Sequence, residues 1–152
     1  MYASSIRSGL TAEFWASFGR YMAPVPPAGA QPVNWVNYKT GIKDIRFLLR
    51  ADTHHARIAV CFLHSDTEKQ HRFFSFFKQF ETAFAETTGE QWDWEVNVPG
   101  ERQATVSCVS RTLTPVNILA RSDWPAIISF FKPRLIALDA FWEEIKPAFE
   151  LL

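Results

Sequence analysis

Three ionisable side chains lie close together where a strand-like pattern gives way to a helix-like pattern. His64, Asp66 and His71 form the sequence H-x-D-x4-H, and imidazole and carboxylate groups are ligands for zinc and iron. Two ligands on one helix must share a face, but positions 66 and 71 differ in direction by about 140°. We therefore predict no bound metal and no cofactor, and we keep the three residues as a candidate polar site. A small metal-dependent enzyme centred on His64 and Asp66 stays an alternative.

A second group of residues combines positive charge with aromatic rings. Its members are Lys39, Lys43, Arg46, Arg50, Trp35 and Tyr38. Basic side chains interleaved with aromatic ones bind single-stranded nucleic acid by charge and by base stacking. A solvent-exposed strand edge beside core aromatic residues would give the same sequence pattern, so both interpretations stay open.

Two other patterns are incomplete as catalytic sites. A metal-dependent nuclease site needs an acidic residue on one strand and a (D/E)-x-K on the next. Asp93 and Glu95 lie in a strand-like segment, but no lysine follows at the required spacing. Cys61 and Cys108 lie inside apolar strand-like segments, and no neighbour in sequence lowers a thiol pKa, so we expect inert core thiols.

Composition limits the classes of partner. The chain has 16 basic and 16 acidic residues, so there is no overall positive charge to favour nucleic acid or an anionic membrane. Low net charge mildly favours a homo-oligomer. The N-terminal stretch lacks the apolar run of a secretory signal, and two cysteines fit a reducing compartment. We predict a cytoplasmic protein that does not associate with membranes.

The elements that position these residues follow from periodicity, caps and turns. We predict helices over residues 11–22, 66–88, 122–131 and 133–149, and strands over 44–52, 56–64, 92–98 and 104–113, with a short fifth strand at 116–119. Ser65 and Glu68 have the spacing of a capping box for the second helix. Trp92, Trp94, Val96 and Val98 alternate with polar residues, which predicts a strand with one wet face.

The order of these elements predicts the fold class. Paired hairpins separated by helices favour an α+β fold, in which helices pack on an antiparallel sheet of four to five strands. The length of 152 residues suits a single domain over residues 1–152.

Whole stretches of the chain resemble a bacterial family known only as a domain of unknown function. They are EFWASFGRYM, NWVNYKTGIKDIRF, HSDTEKQ with the Phe-rich segment after it, and VNILARSDWPAIISFFKPRLIALDAFW. The resemblance covers roughly residues 14–149. Members occur alone or C-terminal to nuclease-like domains, so the resemblance implies work on or near DNA.

The sequence departs from that family pattern at its two cysteines. The family usually has an acidic residue at the position of Cys61 and an arginine at that of Cys108. We therefore hypothesise that the two positions are cross-strand neighbours, and that two thiols have jointly replaced an ion pair. Losing one partner of a buried pair costs about 3–5 kcal/mol, so joint replacement is the tolerable route.

The sequence alone favours a non-catalytic binding or interaction module of unknown partner. The alternative that the resemblance implies is an accessory protein in DNA processing.

Overall fold

The computed structural model describes residues 4–152 and contains four α-helices and one antiparallel sheet. The helices are α1 Ser4–Met22, α2 Thr67–Lys78, α3 Glu81–Thr88 and α4 Trp124–Glu150. The strands are β1 Ile45–Ala51, β2 Ala56–Phe62, β3 Asp93–Pro99 and β4 Thr105–Leu113. The predicted α+β class with an antiparallel sheet is confirmed. Between residues 4 and 152, no helix combines the length and the apolar composition that crossing a membrane requires.

The strand order is β1-β2-β4-β3, so β2 and β4 form the centre of the sheet. One face of β2 carries Ala56, Ile58, Val60 and Phe62, all with 0% exposure. These residues belong to the main hydrophobic cluster together with the helices. The other face of β2 is also largely buried, as the apolar run over residues 58–63 predicted.

Aromatic rings join the helices to the sheet. Phe77 of α2 is 1% exposed, and its ring centroid lies 5.4 Å from Phe62, 5.6 Å from Trp94 and 5.6 Å from Phe141. Aromatic pairs at these separations add roughly 0.5–1.5 kcal/mol each beyond the burial of their area. Phe77 therefore connects α2, α4 and two strands at one point.

The start of two helices differs from the prediction. α1 begins at Ser4 and not at residue 11. The N-cap of α2 is Asp66, whose carboxylate accepts hydrogen bonds from the backbone N–H groups of Glu68 and Lys69 at 3.0 and 3.2 Å. The capping box of Ser65 and Glu68 is therefore wrong, because the neighbouring carboxylate satisfies these donors instead.

The predicted helix over 66–88 is divided into α2 and α3 by a break at Gln79 and Phe80. A continuous helix of that length would span about 34 Å, whereas a seven-residue strand spans about 23 Å. α2 packs on the central strands and α3 packs on α4. The break thus keeps both halves on the core where a straight helix would overshoot the sheet.

The last two predicted helices are one helix, α4, which continues through Pro133. Proline removes one backbone donor and crowds the preceding turn. On either side of it, Phe131 and Leu135 are 0% exposed. Burial of the flanking apolar side chains thus outweighs the local cost of the proline, and the prediction of a break was wrong.

The predicted fifth strand at 116–119 is absent from the sheet that the structure describes. The backbone N–H of Val116 donates to the carbonyl of His54, and that of Ile118 donates to the carbonyl of Asp52, at 3.1 and 3.0 Å. The segment therefore binds the turn between β1 and β2 and adds no strand.

The alternation predicted for β3 holds only in its first half. The pairing of β3 with β4 shifts between Glu95 and Val98, and Asn97 has a positive φ of 55°. As a result, Val96 is 51% exposed and Val98 packs on the opposite face of the sheet from Trp94. A β-bulge of this kind inserts one extra residue into the strand. Each residue after it therefore points to the face of the sheet opposite to the one that simple alternation predicts.

A buried carboxylate on α4 fixes the proline-rich connection between α1 and β1. Asp139 is 2% exposed and accepts hydrogen bonds from the hydroxyl of Tyr38 at 2.5 Å and the backbone N–H of Ala28 at 2.7 Å. Burial and the bond to Asp139 raise the pKa of Tyr38 far above its usual value, so its proton stays in place. The indole of Trp142 also donates to the carbonyl of Thr40 at 2.8 Å.

We expect Tyr38→Phe to lower the free energy of unfolding by about 1.5–3 kcal/mol, because it leaves a buried carboxylate without one donor. Tyr21→Phe is the matched control, since Tyr21 is 57% exposed and should change stability little. Urea unfolding of both variants measures the difference. Equal effects would contradict the structural role of the Tyr38 hydroxyl.

The same substitution should have opposite effects at two glycines. Gly89 ends α3 with a left-handed φ of 74°, so Gly89→Ala should destabilise by roughly 1–2 kcal/mol. Gly9 lies inside α1 with no atom within 4 Å of an added Cβ, so Gly9→Ala should stabilise by about 0.5–1 kcal/mol. Thermal unfolding checks both signs, and a stabilising Gly89→Ala would refute this account of the helix end.

Candidate functional site

The face of the sheet away from the helices carries a second, smaller hydrophobic cluster. Its members come from the strands and their ends: Ala59, Cys61, Val106, Cys108, Leu48, Leu63 and Val98. Side chains alternate between the two faces of a strand, so these residues point away from the main core. We call this surface the open face.

A cleft of about 400 Å³ lies on the open face. Arg46 and Arg50 of β1 and Arg57 of β2 line it, and Cys61 and Cys108 contribute to it from the two central strands. The wall on the β3–β4 side is the turn over residues 99–101, with Glu101 as its acidic residue. The lining therefore has three guanidinium groups and one carboxylate.

Two of these arginines face each other across the hairpin. Arg50 and Arg57 are direct Cα partners in the β1–β2 register, and like charges directly opposite each other destabilise a sheet. Arg50 pairs with Glu101 at 3.2 Å. In the part of the chain that the structure describes, Arg46 and Arg57 form no ion pair. The cleft thus has more positive charge than its own carboxylate neutralises.

The turn beside the cleft has an unusual backbone. Arg102 and Gln103 have positive φ angles of 55° and 63°, a region that costs a residue other than glycine roughly 1–2 kcal/mol. Two backbone hydrogen bonds close the turn. The N–H of Gly100 donates to the carbonyl of Ala104 at 2.7 Å, and the N–H of Ala104 donates to the backbone carbonyl of Glu101 at 3.0 Å. The closed turn holds Glu101 against Arg50.

The two cysteines are neighbours, as the comparison with the family pattern predicted. Cys61 and Cys108 are direct partners in the β2–β4 register, and their Sγ atoms lie 2.8 Å apart. Both are free thiols and 2% exposed. That they replaced an ion pair remains a hypothesis.

The electrostatic surroundings differ for the two sulfurs. A hydrogen bond from Cys61 and the positive charge of Arg57 lower the pKa of Cys108 to about 7. The bond to Cys108 and burial raise the pKa of Cys61. The expectation that nothing lowers a thiol pKa is therefore wrong for Cys108, because Arg57 approaches it across the sheet and not along the sequence. Both thiols are buried, as expected.

His64, Asp66 and His71 have three separate environments. His64 is 3% exposed, neither ring nitrogen has a hydrogen-bond partner, and its ring lies 4.6 Å from that of Phe73. Asp66 caps α2, and the ring of His71 bonds to the side chain of Asn97 at 2.8 Å. Over residues 4–152, no group of three His, Cys, Asp or Glu side chains could hold a metal ion.

The predicted basic and aromatic group is divided by the fold. Its four basic residues, Lys39, Lys43, Arg46 and Arg50, are exposed, but Trp35 and Tyr38 are only 5% and 8% exposed. The ring of Tyr38 stacks on that of Phe47 at 4.6 Å inside the core. These two rings are therefore not free to stack on bases.

Arg57 lines the cleft but was not among the site residues predicted from the sequence. Its alternation with Ala59 and Cys61 places it on the same face of β2 as the thiol, and this signal was present in the segment ARIAVCF. The missing information was the pairing of that strand with Arg50 on one side and with β4 on the other.

The chain is an α+β domain with an arginine-lined cleft on the face of its sheet away from the described helices. The family described as domain of unknown function DUF4268 matches residues 10–146, and the chain belongs to that family. No curated protein and no solved structure matches the chain.

Buried His64 gives the protein a pH-dependent stability. Burial lowers the pKa of His64 in the folded state, whereas an unfolded histidine titrates near pH 6.5. The free energy of unfolding has its full value above about pH 6.5, because His64 is then neutral in both the folded and the unfolded state. It falls as the pH drops below that value, since the unfolded chain takes up the proton first.

We expect His64→Phe to reduce the loss of unfolding free energy between about pH 6.5 and pH 5. The new ring retains the contact with Phe73 and has no nitrogen to protonate. His54→Phe, at an exposed position in the β1–β2 turn, is the control. Urea titrations across this pH range test the idea, and identical pH profiles for wild type and His64→Phe would contradict it.

Proposed function

We propose that this domain is a non-catalytic binding module that takes an anionic ligand in the cleft of the open face. The observation that carries the proposal is the direct opposition of Arg50 and Arg57, with Arg46 on the same face. A bound anion offsets the repulsion between these guanidinium groups. Phosphate and carboxylate also match the fork of N–H donors of arginine.

The charge of the lining indicates the charge of the ligand. Three arginines against one glutamate leave a surplus of two positive charges, so a phosphate ester or a dicarboxylate is a suitable ligand class. The apolar part of the cleft, which includes Leu48, Leu63 and Val98, accommodates an uncharged portion of the same molecule.

The alternative of a small metal-dependent enzyme has less support. The carboxylate of Asp66 already accepts two backbone hydrogen bonds, and the imidazole of His64 is almost completely buried. Neither group is placed to act on a bound molecule, which favours binding over catalysis.

A second candidate is binding of single-stranded nucleic acid along the open face. Arg46 and Arg50 lie on the edge strand β1, where a phosphate backbone could follow them. The resemblance stated from the sequence, which implies nuclease-like domains beside some family members, motivates this candidate. Because Trp35 and Tyr38 are buried, such binding would depend on phosphate charge and show little base preference.

We further propose that the chain forms a single domain in the cytoplasm. Buried rings from each of the four described helices, Phe14, Phe77, Phe84 and Phe141, belong to one hydrophobic cluster, which supports a single domain. The two free thiols support a reducing compartment. Self-association remains a prediction from the low net charge.

We expect pyrophosphate or a dicarboxylate such as succinate to raise the Tm of the protein, because a ligand of the folded state stabilises it by mass action. Arg57→Gln and Arg46→Gln should each weaken binding at least about tenfold, since a charge-assisted hydrogen bond contributes about 1.5–3 kcal/mol. Arg57→Lys should bind with intermediate affinity. Isothermal titration calorimetry measures these affinities.

Arg20→Gln is the control, because Arg20 is exposed on α1, which packs on α4, and does not line the cleft. It should bind as the wild type does. The proposal is refuted if wild-type protein binds neither anion, or if Arg57→Gln and Arg20→Gln bind equally. A labelled oligothymidine tests the second candidate, which predicts binding at low salt that Arg46→Gln weakens and added salt abolishes.

A further inference from the structure

The two thiols of the open face are arranged as a reacting pair. Cys61 and Cys108 lie directly opposite each other on β2 and β4, and the 2.8 Å between their Sγ atoms is a hydrogen-bond contact. A disulfide requires about 2.05 Å between the sulfurs and Cα atoms at the separation found between neighbouring strands. Only a small movement therefore separates the dithiol from the disulfide.

The pair also has the charge distribution of a reactive dithiol. The Sγ atoms of Cys61 and Cys108 share a hydrogen bond in which either sulfur can donate, and Arg57 stabilises negative charge on Cys108. When the pair holds a single proton, negative charge is therefore more stable on Cys108 than on Cys61. A thiolate is the nucleophilic form of cysteine.

Access to the pair is limited to small molecules. Each cysteine is 2% exposed, yet both contribute to the arginine-lined cleft. A peroxide of nearly the size of water can enter such a site, whereas a protein disulfide cannot reach the sulfur without opening of the sheet.

We propose that Cys61 and Cys108 form a redox-active dithiol, which hydrogen peroxide converts into a disulfide between β2 and β4 and which a dithiol reductant restores. The proposal does not require the anionic ligand, although the dithiol shares the cleft and Arg57 with the proposed binding function. It assigns a modification site to two residues that the proposed binding function does not use.

The reaction is balanced in two steps. The thiolate of Cys108 attacks one peroxide oxygen, so that an S–O bond forms and the O–O bond breaks. The leaving hydroxide takes the proton of Cys61 and becomes water. The thiolate of Cys61 then attacks the sulfur of Cys108, the S–S bond forms, and the S–O bond breaks. The second hydroxide takes a proton from solvent, and the two sulfurs have together lost two electrons to the peroxide.

Intact-mass analysis provides a direct test, because the chain has only two cysteines. The reduced protein is exposed to hydrogen peroxide, quenched with catalase, denatured and alkylated with N-ethylmaleimide. We expect a monomer that has lost two hydrogen atoms and carries no label. Treatment with dithiothreitol before alkylation should restore two labels. Retention of both labels after peroxide, or only intermolecular dimers, would overturn the proposal.

Single variants test the role of each sulfur. In Cys61→Ser, peroxide should stop at a sulfenic acid on Cys108, which dimedone traps. In Cys108→Ser, Cys61 should react at least several-fold more slowly, and an equal rate would overturn the assignment of Cys108 as the attacking thiolate. In the intact dithiol, Arg57→Gln should slow disulfide formation, whereas Arg20→Gln should not.

Discussion

The helices cover only one face of the sheet, so the side chains of the strands themselves must shield the other face. Ala59, Cys61 and Cys108 are at most 2% exposed there, although none of the helices described over residues 4–152 contributes to their cluster. Long side chains such as Arg57 and Leu48 surround them in the cleft. Arginine can bury its aliphatic stem and keep its charged end in water. Arginine side chains such as Arg57 therefore both shield this face of the sheet and give it positive charge. The cleft forms between them because the described helices pack on the other face.

The face of the sheet that the helices cover is packed mainly with aromatic rings, and few polar side chains are buried in it. Asp139 holds the proline-rich connection, and the amide of Gln70, which is 1% exposed, donates to the carbonyls of His64 and Thr105. Each of these groups has its hydrogen-bonding partners, so its burial does not leave an uncompensated charge or donor. His64 is the exception, because its two ring nitrogens have no partner. His64, next to α2, therefore makes the stability of the core depend on pH.

Local patterns in the sequence predict most of the fold and about half of the site. Alternation over β1 places Arg46 and Arg50 on one face without any knowledge of the structure. The continuity of α4 through Pro133 was not predictable, since it depends on the burial of the residues on either side. Likewise, the bulge in β3 depends on its pairing with β4. The site requires Arg57 beside Arg50 and Cys61 beside Cys108, which are properties of register. The proximity of the thiols was inferred only through the family pattern.

The strand order has a consequence for synthesis on the ribosome. β4 is the last strand in the chain but lies between β2 and β3 in the sheet. While the chain grows from its N-terminus, the β1–β2 hairpin exposes an unpaired edge until β4 emerges, and α4 follows later still. Pairing across so many residues is slow, and an unpaired edge strand can join other chains. The nascent polypeptide therefore completes its sheet only after β4 has emerged, and chaperone contact is most useful in the interval before that.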